Sequence, residues 1–168
     1  MNLILRPDIP IRVNIEVGYN PIRGNLLLGI LIYQEKPDTL DFIQDDFSTY
    51  LNSYFIIEGI AAPGKPLKYR EKVTIDIWVC DQLTGTLTCY EWMLIDDTAD
   101  GHMDRMEASL IRKTVDNLVI DVQERRVSEN NRERFAALFS FVRDSLLQRA
   151  GFSSAADIFM RQQIYSTL

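Results

Sequence analysis

Histidine occurs once in this chain, at position 102, and cysteine twice, at positions 80 and 89. Ser-His-Asp and Cys-His catalysis would both have to use His102, and nothing in the sequence supports either. No glycine-rich phosphate loop is present, and no H-E-x-x-H, C-x-x-C or G-x-S-x-G. An enzyme is therefore not expected; one working through paired carboxylates is the last alternative. No apolar run reaches the roughly 18–20 residues that span a bilayer, so no membrane is expected. The stretch from Met1 to Pro7 lacks a signal-peptide core, and two cysteines without export suggest a reducing compartment. The expected location is the cytoplasm or the inside of a virus particle.

The 168 residues suit one domain, 1–168, able to bury its own core. Net charge is -6. Residues 1–100 hold 8 basic and 15 acidic side chains, against 10 and 9 in residues 101–168. The arginines of the last third are thus balanced by neighbouring carboxylates, and nucleic acid is not an expected partner.

Val13, Ile15 and Val17 alternate with Arg12, Asn14 and Glu16, which predicts a half-buried strand. Gly18 to Pro21 reads as a turn, and Asn25 to Tyr33 as the antiparallel partner. From a Thr39 cap, Leu40, Ile43, Phe47, Tyr50, Leu51 and Tyr54 recur at helical spacing. Phe55 to Ala61 reads as a strand. Val73, Ile75, Ile77 and Val79 then alternate with Thr74, Asp76, Trp78 and Cys80. A two-residue turn at Thr84-Gly85 would place Cys80 opposite Cys89, as two reduced thiols. One face of that hairpin, with Val73, Ile75, Ile77, Val79, Tyr90, Trp92 and Leu94, reads as core. The other carries Trp78, Cys80, Cys89, Glu91, Met93 and Ile95, and is too apolar to be simply wet. A helix of the chain or a partner protein should cover it. Met103 to Lys113 reads as a helix and Leu118 to Val122 as a strand. Asn130 or Ser128 caps a long helix with Phe135, Leu138, Phe139, Val142 and Leu146 on one stripe. Gly151 should end it, and Ser153 or Ser154 should cap a last helix holding Ile158, Phe159 and Ile164.

One stretch has chemical spacing. Counted from Asp96, Asp stands at one, Thr98 at three, Asp100 at five, Gly101 at six, Asp104 at nine and Glu107 at twelve. This resembles an EF-hand calcium loop. The resemblance implies calcium held by Asp96, Thr98, Asp100, Asp104 and Glu107, with the backbone carbonyl of His102. It departs from the family at Thr98, at the unbranched Met103, in its β-prone entry and in having no second loop. An acidic turn between a strand and a helix has the same letters.

Together these patterns predict a single α+β domain: a mostly antiparallel sheet of five or six strands with helices packed on one face. The expected function is non-enzymatic, binding other protein chains in a homo- or hetero-oligomer. Size and charge match the profile of virion connectors and tail or matrix proteins, a likeness of profile alone. A calcium-binding module is the alternative.

Overall fold

The computed structural model describes residues 9–34, 42–44, 47–61, 65, 68–114, 120–125 and 129–161. Among these residues, eight strands form one antiparallel sheet: β1 (Ile11–Asn20), β2 (Asn25–Gln34), β3 (Phe42–Gln44), β4 (Phe47–Ala61), β5 (Lys68–Asp81), β6 (Thr86–Asp96), β7 (Arg105–Thr114) and β8 (Ile120–Arg125). Their order is β1-β2-β4-β5-β6-β7-β8, with β3 paired to the start of β4. Along one edge β4 pairs with β5; along the other, β3 takes Phe47–Thr49 and β2 takes Tyr54–Ala61. Two helices follow, α1 (Arg132–Arg149) and α2 (Ala155–Arg161).

The expected α+β domain is therefore corrected to a mostly β one. Two segments account for the difference. Residues 42–44 and 47–54 are β3 and the first half of β4 rather than a helix. Their Phe, Tyr, Ile and Thr content favours strands, and three-four spacing in a short aromatic run does not outweigh it. Residues 105–113 are in β7, although Met, Arg, Glu, Ala and Leu are good helix formers. Pairing with β6 on one side and β8 on the other overrides that weak propensity. The Thr39 cap, Leu40, Leu118, Ser128 and Ile164 lie outside the described residues.

Two hairpins share one turn design. Asn20 Oδ1 accepts from the N–H groups of Ile22 and Arg23, and Gly24 (φ 66°) returns its N–H to the Asn20 carbonyl. Asp81, Leu83, Thr84 and Gly85 (φ 68°) repeat this between β5 and β6. The loop thus has four residues, 82–85, and Asp81 pairs with Thr86. The register is shifted by two from that of a Thr84-Gly85 turn. Cys89 faces Trp78 and Cys80 faces Leu87, and both cysteines are free. A shift of two keeps every side chain on its expected face.

Helix α1 lies across β2, β4, β5 and β6. Its Phe139, Val142, Leu146 and Leu147 bury against Ile30, Ile32, Phe55, Ile57, Val73 and Leu94. Gly151, with φ 86°, ends it in a Schellman motif: Phe152 N–H reaches the Leu147 carbonyl and Gly151 N–H that of Gln148. Ser154 Oγ caps α2 at the Asp157 N–H, and Asp157 accepts from the Ser153 N–H.

Among these apolar residues sits Glu71, 1% exposed. Arg143 of α1 meets it with two hydrogen bonds, Nε to Oε2 at 2.5 Å and Nη2 to Oε1 at 3.1 Å. The four buried side chains of α1 contribute roughly 1.5–3 kcal/mol each. A buried pair adds little net, because desolvation offsets attraction. Apolar burial holds the helix on, and the ion pair sets its position. Arg143→Met strands a buried carboxylate and should cost about 3–5 kcal/mol in chemical denaturation. Adding Glu71→Gln to that variant should recover most of the loss.

Candidate functional surfaces

The Asp96–Glu107 stretch joins two strands, β6 and β7. Asp96 is fully buried. Its Oδ1 accepts from the N–H of Thr98 (3.2 Å) and of Asp100 (3.3 Å) and from the Thr98 hydroxyl (3.3 Å). Its Oδ2 accepts from the Gly101 N–H at 2.8 Å. Gly101 (φ 88°) and Ala99 (φ 55°) give the loop its left-handed steps. Asp104 caps the far side by accepting from the Asp97 N–H at 2.8 Å. Arg105 holds Asp97 and Glu107 together on the surface. The Arg105 guanidinium keeps the Asp97 carboxyl below its ordinary range, and the His102 N–H does the same for Asp100. The candidate ligand oxygens of Asp96 and Thr98 are thus engaged within the loop. Among the described residues, no three His, Cys, Asp or Glu side chains come together as a metal site.

The second face of the β5–β6 hairpin lies opposite α1. Of its six candidate interface residues, Cys89 and Ile95 are buried, while Trp78, Cys80, Glu91 and Met93 keep part of their surface. Long charged side chains lie over this face. Lys72 and Arg70 converge on Glu58, and the Lys113 ammonium stands 5.4 Å from the centre of the Trp78 ring. On the helix side, beyond α1, Arg125 stacks on Trp92 at 4.6 Å and Tyr90 at 5.2 Å. Tyr90, expected in the core, is exposed beneath that arginine.

A cleft of about 430 Å³ opens on the second face between Leu31, Tyr33, Asn52, Tyr54, Asp76 and Trp78. Asp76 is buried and accepts from the Tyr54 hydroxyl at 3.3 Å. Burial first, and then the Asp76 charge, push the Tyr54 phenol well above its ordinary range. The same two causes push the Cys89 thiol up to about 12. Both groups therefore stay protonated near neutrality and are poor nucleophiles. The cleft offers aromatic walls and an anionic floor, the chemistry of a cation acceptor rather than of covalent catalysis.

Apolar surface is exposed along the β1 edge of the sheet, as it is at Leu83 in the β5–β6 loop. Among the described residues nothing pairs with the outer side of β1. Val13 (39% exposed), Val17 (54%) and Tyr19 (65%) line it, and Ile22 stands 93% exposed at the hairpin tip. Ile11 and Ile15 pack partly against the core. The opposite edge strand, β8, is six residues long and includes Asp121, Glu124 and Arg125 around one exposed apolar residue, Val122. Sequence reading identified the β1 alternation but not its edge position, since strand order is not written in periodicity.

No family model, curated protein or solved structure matches this chain.

Asp96→Asn should lose about 1.5–3 kcal/mol, the scale of hydrogen bonds to a charged acceptor. Calcium at millimolar excess should leave the wild-type melting midpoint unmoved relative to chelator. A rise abolished by Glu107→Gln would instead support the calcium alternative. Because Asp97 is depressed from 3.8, its contribution is present above that pH and is lost as pH falls through the folded value. Acid denaturation of Asp97→Asn should accordingly be shallower. For the thiols, a maleimide reagent near neutral pH should label Cys80 in the folded protein and Cys89 only after unfolding, read by intact mass.

Proposed function

We propose that this protein is a non-enzymatic assembly component that joins other protein chains by strand addition at β1. The observation that supports this most directly is the contrast between the two sheet edges. An exposed strand edge is a template for pairing, and monomeric proteins blunt it by shortness, charge, proline or a bulge. β8 is blunted in the first two ways. β1 has ten residues, of which only Arg12 and Glu16 are charged, and no proline. Its Val13, Val17 and Tyr19 remain exposed on the side that continues the core face. A partner strand would satisfy the open backbone groups, and its apolar residues would extend that face.

The protonated state of the Tyr54 phenol beside Asp76, and of the buried Cys89 thiol, gives the enzyme reading no support. A larger oligomer or particle, with other copies or different chains, is the setting this edge suits. No helix among the described residues is long and apolar enough to cross a membrane.

The native mass of the protein should exceed 19.4 kDa in an extract of the cells that produce it. Val13→Lys with Val17→Lys should bring it down to the monomer, with unchanged circular dichroism. Wild-type protein running as a free monomer in that extract would overturn the reading.

A further inference from the structure

We infer that β1 is self-complementary and that its partner is a second copy of this chain, in a two-fold antiparallel pair centred on Asn14. The inference rests on the reading of β1 as a docking edge, and it adds the identity and register of the partner.

The register follows from the side chains. In an antiparallel pair, residues opposite each other share a face of the sheet. Registers that set odd against even positions would put Val13, Ile15 and Val17 opposite polar residues, so they are disfavoured. Of the rest, centring on Arg12 opposes two arginines, and centring on Glu16 opposes two glutamates. Like charges directly opposite are destabilising. Centring on Val13 or Ile15 sets each charge against a neutral residue. Only centring on Asn14 pairs every charge: Arg12 of each copy faces Glu16 of the other.

The same register places Val13 against Ile15 and Ile11 against Val17. The two exposed valines thereby meet the two isoleucines that already lean on the core. Asn14 meets its own copy, and an amide offers both donor and acceptor to its twin. Pro10, without an N–H, faces Gly18 and limits pairing there. The paired segment is Ile11–Val17 in each chain, and it joins the two sheets into one. A two-fold interface of this kind must be complementary to itself.

Sedimentation of the purified full chain tests this. Wild type should be a dimer at about 100 μM, a concentration that detects micromolar association. Arg12→Glu alone and Glu16→Arg alone each create two like-charge contacts, and each should weaken the dimer by about tenfold or more. Circular dichroism of both single variants should show the wild-type fold, and denaturation of Glu16→Arg, a change at an exposed side chain, should match wild type. Mixing the two single variants should restore dimer as a heterodimer, since every contact then pairs opposite charges. The Arg12→Glu, Glu16→Arg double variant should also dimerise. A monomeric wild type, or single variants that stay monomeric when mixed, would overturn the inference. If the purified chain is monomeric while its mass in the native extract is still lowered by the two lysine substitutions, the edge docks a different protein. In that case the docking reading stands and the self-pairing falls.

Discussion

An eighteen-residue helix is about 27 Å long and about 10 Å wide, and it cannot shelter seven strands set about 4.8 Å apart. This mismatch of area shapes the rest of the protein. α1 covers the central strands, where Ile32, Phe55, Val73 and Leu94 are buried. Everything outside its footprint needs another cover. On the helix side, β6 to β8 use Arg125, whose guanidinium lies on Trp92 and donates to the Ser109 carbonyl at 3.2 Å. On the other face Lys72, Arg70 and Glu58 cover their neighbours. Long charged side chains serve well here, because their stems shed water while their heads keep it.

With so small a footprint, the placing of the helix matters more than its adhesion. Apolar contact alone would permit α1 to slide or turn on the sheet, since hydrophobic burial has no direction. Glu71 and Arg143 supply a direction. A guanidinium fork and a carboxylate meet in few geometries, and both are deeply enough buried that a misplaced helix would leave charge without a partner. The Arg143 group also lies 6.0 Å from the centre of the Phe55 ring, at the middle of the core. Glu71 stands two residues before Val73, on the same face as the apolar alternation that Val73 begins, so the charged residue in the core is a specificity element rather than an adhesive one.

What was legible in the sequence was local and strongly periodic. The alternations at Arg12–Val17 and Val73–Cys80, the stripe from Phe139 to Leu146 and the Gly151 terminus all appear in the structure. Physical competition explains what was not legible. In β7, Met106, Ala108 and Leu110 do alternate, but the helix propensity of the same letters hides it, and only two flanking strands settle the outcome. In the β5–β6 turn, Thr84-Gly85 has hairpin chemistry of its own. Asp81, four residues before Gly85, captures two amides and lengthens the loop. In Asp96–Glu107 the acidic spacing that resembles a calcium loop is used in large part to bind the loop's own N–H groups. A carboxylate that accepts from backbone amides and one that ligates a cation are the same residue type. Only the backbone path tells them apart.

The β1 edge poses the same question of what a pattern is for. Its alternation would be ordinary in an interior strand, where the apolar side faces the core and both backbone edges are paired. At the end of a sheet, as for β1 among the described residues, that pattern leaves both ladder hydrogen-bonding groups and apolar surface facing solvent. Edge strands of monomers avoid the coincidence by spending charge on it, as β8 does. β1 instead carries one positive and one negative charge, each two residues from Asn14, on the face away from its valines. A lone lysine at Val13 or Val17 would have blunted the edge. Two opposite charges placed symmetrically do not repel a copy of the same strand. They disfavour the registers that would set like charges opposite each other, as the proposed pairing requires.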